Sequence, residues 1–138
     1  IMAWGDDIGR ERFSPPLHLD VTTENWWQTE GLSKNFDGII CINMIHIAPF
    51  AAVEGLFRGA CKLLEKGGKL FFYGPFSRSG EMAESNHRFD ADLKRRDTQW
   101  GVRDLDLEIQ PLATRFVFNL VSEENVPANN MVVLFEKG

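Results

Sequence analysis

The sequence predicts an α/β fold with a mostly parallel sheet and a closing antiparallel hairpin, and three observations carry that reading. Phe36-Asp-Gly-Ile-Ile-Cys-Ile42 is a β-rich run, apolar on both faces, as in a central strand with helices on either side. Val53, Leu56, Phe57, Ala60, Leu63 and Leu64 then recur at helical spacing, and Lys69-Leu-Phe-Phe-Tyr73 follows as a second buried strand. A strand, a crossover helix and a strand in that order run the two strands parallel. At the far end, Phe116–Val121 and Met131–Phe135 flank the polar stretch Glu123–Asn130 and read as a hairpin antiparallel to the rest.

The remaining elements follow in order. Residues 1–13 read as the end of a polar helix that Pro15-Pro16 stops. Leu17-His-Leu-Asp-Val21 alternates weakly and predicts a short strand. Thr22 or Thr23 is placed to cap a helical turn through Trp26 and Trp27, with Glu24 near its positive end. Pro49 suits the first turn of the crossover helix; Gly67-Gly68 ends it, after Lys62 and Lys66 near its negative end. The polar segment 77–100 holds a helix from about Asn86 to Arg96. Another helix starts near Asp104, which caps it, and Pro111 disturbs it if it continues.

With 138 residues the chain is expected to form a single domain, 1–138, large enough for a real core. A net charge of −5 leaves no basic footprint, which argues against nucleic acid and anionic membranes as partners. Cys41 and Cys61 lie in apolar segments and read as buried reduced thiols; their spacing fits no zinc motif. No apolar run approaches the roughly 20 residues of a membrane span, and the N-terminus lacks signal-peptide features, so a cytoplasmic or nuclear location is expected. His18, His46 and His87 show no ligand-like pairing, so no metal is expected. No Gly-x-Ser-x-Gly, Walker loop or Gly-x-Gly-x-x-Gly follows a strand, which argues against acyl transfer, phosphoryl transfer and a standard dinucleotide site.

Attention therefore falls on the carboxyl edge of the sheet, where open α/β folds bind ligands. Asp20 ends its strand and reads first as a turn acid, second as an acceptor for a ligand hydroxyl or amine. Asn43 interrupts an apolar run, and either a neighbouring loop or a ligand must satisfy its amide. His46 is a proton acceptor or a satisfied structural histidine. Tyr73, ahead of Gly74-Pro75, places a hydroxyl above the sheet edge or packs at the core rim. The Trp26–Trp27 pair reads as packing, since no basic groove accompanies it.

Seven collinear segments carry a family resemblance: Pro16-Leu-His-Leu-Asp-Val21, Cys41-Ile-Asn-Met-Ile-His46, Glu54-Gly-Leu-Phe-Arg58, Tyr73-Gly-Pro-Phe76, Ser85-Asn86 with Phe89-Asp90, Trp100-Gly-Val-Arg-Asp104, and Pro127-Ala-Asn-Asn130. Together they resemble the methyltransferase-like protein 26 family of class I S-adenosylmethionine-dependent methyltransferases. The resemblance implies a Rossmann-like sheet of order 3-2-1-4-5-7-6 with S-adenosylmethionine over its carboxyl edge. It implies that Asp20 and Val21 lie near the adenine, and that Asn43 and Met44 line the methionine end. It places His46, Tyr73, Asn86, Asp90, Trp100, Arg103, Asn129 and Asn130 on the side of an unknown methyl acceptor, with His46 or Tyr73 taking its proton.

The match begins at Ile1-Met-Ala-Trp4, in the helix after the family's second strand. The resemblance thus implies an N-terminally truncated domain lacking a strand-helix-strand unit on the order of 30 residues, with an incomplete cofactor site. It leaves Phe36–Ile42 with an open edge prone to self-association. The alternative to an enzyme is a truncated, catalytically inactive form that acts as an interaction module.

Overall fold

The computed structural model of the chain describes residues 12–138, so the helix expected over 1–13 lies almost wholly outside the described residues. The strands are β1 (Phe36–Ile42), β2 (Leu64–Gly74), β3 (Phe76–Ser77), β4 (Arg103–Asp104), β5 (Phe118–Val126) and β6 (Asn130–Lys137). The α-helices are α1 (Phe50–Leu63), α2 (Glu84–Arg96) and α3 (Gln110–Arg115). The main sheet has four strands in the order β1-β2-β6-β5, and β3 and β4 form a separate parallel pair. β1 runs parallel to β2 with Ile40 opposite Phe71, while β6 lies antiparallel to both β2 and β5. The expected strand-helix-strand crossover and closing hairpin are both present, and the order corresponds to the 4-5-7-6 stretch of the class I sheet.

Period-two alternation sorts the sheet into a core face and a bare face. Leu70, Phe72, Val133 and Phe135 point into the core, where α1 meets them with Val53, Phe57 and Ala60. Phe57 is fully buried and sits 5.6–5.7 Å, ring to ring, from Phe72, Phe118 and Phe135. Phe57→Ala is expected to cost about 3–5 kcal/mol, read as a lower denaturant midpoint with an unchanged m-value. On the bare face Ile40 and Ile42 are 69% and 62% exposed, and among the described residues β1 pairs only with β2. The open edge expected for this strand is therefore present among the described residues.

Four expectations change in detail. Leu17–Val21 forms no strand: among the described residues it has no ladder partner, and Asp20 instead turns the chain by accepting from Thr22 N and Oγ1 at 2.9 and 2.6 Å. No threonine caps the next turn; Asn25, in the left-handed region, precedes the 3₁₀ helix Trp26–Gln28. That turn docks on α1, where Trp26 Nε1 donates to Gly55 O at 2.8 Å and a Cβ at Gly59 would lie 2.0 Å from the indole ring. The crossover helix stops at Leu63, because β2 begins at once, Leu64 pairing with Phe36 across an irregular register; Gly67, at φ +86°, falls within β2. The hairpin strands run longer than expected, leaving a short turn with Ala128 and Asn129 both left-handed. Asp104 does cap the following segment, a π-helical turn Leu105–Ile109, and Pro111 falls in the first turn of α3, where its missing N–H breaks no helix bond.

Candidate functional site at the strand tips

The chain leaves β1 through Asn43, whose φ of +52° bends it into a tight loop; the Asn43 N–H donates to Tyr73 O at 2.9 Å. The loop returns to α1 past His46. Arg103, only 9% exposed, holds it there: Nε donates to Ile45 O at 2.9 Å and Nη2 to Ala48 O at 2.7 Å and Gln99 O at 2.9 Å. The guanidinium also lies 5.5 Å over the Phe50 ring. Gly101 N–H donates to His46 O at 3.0 Å. Asp90 braces the same segment from α2, accepting from Val102 N at 2.8 Å and pairing with Lys94 at 2.6 Å.

A cavity of about 370 Å³ opens over this loop, lined by Asn43, His46, Ser85, Asn86, Phe89 and Asn130, with Pro75 and Ala128 at its margins. His46 is 4% exposed, packs edge-on against Phe89 at 5.6 Å, and its buried Nδ1 finds no hydrogen-bond partner among the described residues. Burial, then the nearby Arg103 cation, draw its pKa below the ordinary histidine value, so the ring is neutral at neutral pH. A Cβ placed on Gly74 would meet Asn43 Oδ1 at 3.3 Å and His46 Nδ1 at 3.5 Å. Both polar atoms thus border one small space above that glycine.

The β5–β6 turn closes the cavity from the side. Asn86 Nδ2 donates to Asn129 O at 3.0 Å, and Asn129 Nδ2 to Ser85 Oγ at 2.8 Å. Asn130 Nδ2 reaches Tyr73 Oη at 3.3 Å and Pro127 O at 3.4 Å.

The approach to α2 is organised by Asp104. Its Oδ2 accepts from Ser77 Oγ at 2.8 Å and Gly80 N at 2.7 Å; its Oδ1 accepts from Asp106 N and Leu107 N at 3.0 and 2.8 Å. Burial pushes this carboxyl up, but the bonds from Gly80, Leu107, Ser77 and Asp106 outweigh it and hold the pKa below the usual value. A depressed carboxylate stabilises the fold above its unfolded pKa, and that contribution is lost as pH falls through the folded value. Asp104→Asn is therefore expected to cost about 2–3 kcal/mol at neutral pH. The gap to the unsubstituted chain should close in acid, below the ordinary carboxylate range, in urea titrations across pH.

A family model described as "Protein of unknown function (DUF938)" matches residues 1–137. The chain belongs to that family. Its fold is similar to that of LaPhzM (TM-score 0.74, 15% identity, covering 99% of this chain and 38% of that one). It is also similar to an O-methyltransferase family protein from Burkholderia thailandensis (TM-score 0.72, 8% identity, 88% and 35% covered). A third likeness is to CalO1, a methyltransferase in calicheamicin biosynthesis in its SAH-bound form (TM-score 0.62, 12% identity, 74% and 30% covered). At these identities the likeness establishes the fold, a class I methyltransferase-like α/β sheet. The DUF938 chain spans 38% of the length of LaPhzM.

Of the residues singled out in the sequence, Asn43, His46, Asn86 and Asn130 come together in one cavity of the DUF938 chain. Asn129 holds its wall. Tyr73 faces the bare side of the sheet with Ile40, Ile42 and Val132; its hydroxyl meets the site at Asn130 and its carbonyl at the Asn43 N–H. Arg103 and Asp90 bind backbone and brace the His46 loop, and Trp100 N–H donates to Asp97 O at 3.0 Å in the adjoining turn. Asp20 sits in its own turn, where the hydrogen bonds from Thr22 lower its pKa. Val21 packs on α1, its carbonyl 1.9 Å from where a Gly55 Cβ would stand, and Met44 packs on the core. Ser85, Phe89 and Ala128 were not singled out as site residues: a helix-start serine, an aromatic on a polar helix and a turn alanine all resemble ordinary packing. Among the described residues no cluster of His, Cys, Asp and Glu could hold a metal.

Proposed function

We propose that this DUF938 chain forms the acceptor side of an S-adenosylmethionine-dependent methyltransferase, in which His46 receives the proton of the methyl acceptor. The observation that carries the reading is the neutral, buried His46 ring with an unpartnered Nδ1, lining a cavity at the carboxyl tip of a parallel strand. The narrower membership, in the methyltransferase-like protein 26 family, rests on the seven segments quoted above.

The strand-tip residues fit the sulfonium end of S-adenosylmethionine. Asn43 presents Oδ1 beside Gly74, where the missing side chain lets a ligand approach the backbone. Asp20, whose Oδ1 is engaged by Thr22, is proposed with Val21 near the adenine, and Met44 beside Asn43. The bound group would supply an electrophilic methyl. The chain's own residues orient the acceptor through Asn86 and Asn130, hold it against Phe89, and take its proton at His46. Tyr73 is proposed as a positioning residue acting through Asn130.

The test is transfer of labelled methyl from S-adenosylmethionine to a panel of small amines and phenols by the natural polypeptide containing this chain. Transfer lowered about 10²-fold or more by His46→Phe supports the reading, and transfer unaffected by it overturns the assignment. A second reading, a non-catalytic interaction module, is favoured by the exposed Ile40 and Ile42 beside the edge of β1 that no described residue pairs. Concentration-dependent self-association that Ile40→Lys suppresses would support it.

A further inference from the structure

Three side-chain atoms at the cavity are open to a donor, and for the two asparagine oxygens the orientation follows from their partners. Asn86, only 7% exposed, directs Nδ2 at the carbonyl of Asn129. A flipped amide would set oxygen against oxygen, so Oδ1 is the unengaged atom. Among the described residues nothing donates to it. Asn130 is oriented the same way by the carbonyl of Pro127, which leaves its Oδ1 over. His46 Nδ1 is the third, buried and without a partner.

Among the described residues charge is absent from the lining: no Lys, Arg, Asp or Glu borders this cavity. The nearby cation, Arg103, is engaged by three backbone carbonyls, and Arg78, further along α2's approach, by Asp106 and Glu123. An anion entering here would meet no counter-charge, only the neutral donors of Ser85 and Asn43, and an ammonium would meet no carboxylate; either is costly when desolvated. Pro75, Phe89 and Ala128 supply apolar walls for a ring.

We infer that the cavity takes an uncharged aryl amine, its two N–H donors engaging His46 Nδ1 and an asparagine Oδ1, in preference to a carboxylate or other acceptor-only group. This rests on the methyltransferase reading only in treating the occupant as the methyl acceptor. Such a donor at Nδ1 holds the imidazole proton on Nε2. A phenol satisfies one of the acceptors and ranks between.

The experiment is titration of the ¹⁵N-labelled chain at pH 8 with aniline, phenol and benzoate, without cofactor. It follows the side-chain amides of Asn86 and Asn130 and the ring nitrogens of His46. Aniline is expected to shift all three and to bind roughly five-fold tighter than benzoate, the ratio one or two net hydrogen bonds provide. His46→Phe, which keeps the packing on Phe89, is expected to reduce the aniline-to-phenol preference to within about two-fold. Benzoate binding as tightly as aniline, shifts confined to other residues, or no shift with any probe up to about 10 mM would overturn the inference. Selective aniline binding by a polypeptide that transfers no methyl group removes the methyltransferase reading alone. Methyl transfer to carboxylates removes this inference alone.

Discussion

His46→Phe is expected to lower methyl transfer by about 10²–10⁴-fold while leaving the fold intact. Phenylalanine retains the edge-on contact with Phe89, and it removes a buried nitrogen that no described residue satisfies. Replacing an unsatisfied buried polar group by an apolar one of similar shape is neutral or stabilising, so the denaturation midpoint should hold or rise. A stability cost carried by the native residue and recovered on its removal is what a ligand-binding histidine produces; a purely structural histidine would destabilise on replacement.

The same residue sets a pH signature. Its folded pKa lies below the unfolded value of about 6.5, so its neutral form favours the fold above that value. This contribution is lost as pH falls from there through the depressed folded pKa. Stability should therefore decline below about pH 6.5 in the native chain and decline less in His46→Phe, well before the carboxylates of Asp104 and Asp106 titrate.

Arg103→Met is expected to cost on the order of 3–4 kcal/mol and to abolish activity at the same time. The substitution keeps most of the aliphatic stem against Phe50 but strips the carbonyls of Ile45, Ala48 and Gln99 of their donor. Three carbonyls lose a charge-assisted partner, those of Ile45 and Ala48 in the loop that presents His46 and that of Gln99 in the turn it is tied to. Circular dichroism with urea titration, run beside the methyl-transfer assay, separates the two cases. Arg103→Met should lose stability and activity together, His46→Phe activity alone. An Arg103→Met protein as stable as the native one would show that the loop holds its shape without the guanidinium.

The fold was legible where local pattern and tertiary packing agree. The apolar spacing of Val53, Leu56, Phe57 and Ala60 marks the face of α1 that meets the sheet. Asp104 was readable as a cap because a carboxylate before an apolar run has few other uses. Leu17–Val21 misled because a strand needs a ladder partner, which alternation alone does not reveal. Gly67-Gly68 misled because a glycine pair ends helices and also permits the irregular register by which Leu64 reaches Phe36.

At the site, Asn43, His46, Asn86 and Asn130 lie on a strand tip, a loop, a helix start and a strand start far apart in sequence. Only the fold brings them together: their place at a strand end pointed to Asn43 and His46, and the resemblance alone to Asn86 and Asn130. Arg103 and Asp90 entered through the resemblance as acceptor-side residues, yet they bind the backbone of Ile45 and Val102, which no side-chain motif encodes.

Calorimetric titration of S-adenosylhomocysteine into the natural polypeptide containing this chain tests the methyl-transfer site most directly. Micromolar binding, weakened by Asn43→Ala without loss of folding, is the expected result. A folded polypeptide that gives no heat at millimolar ligand would contradict a methyltransferase site at these strand tips.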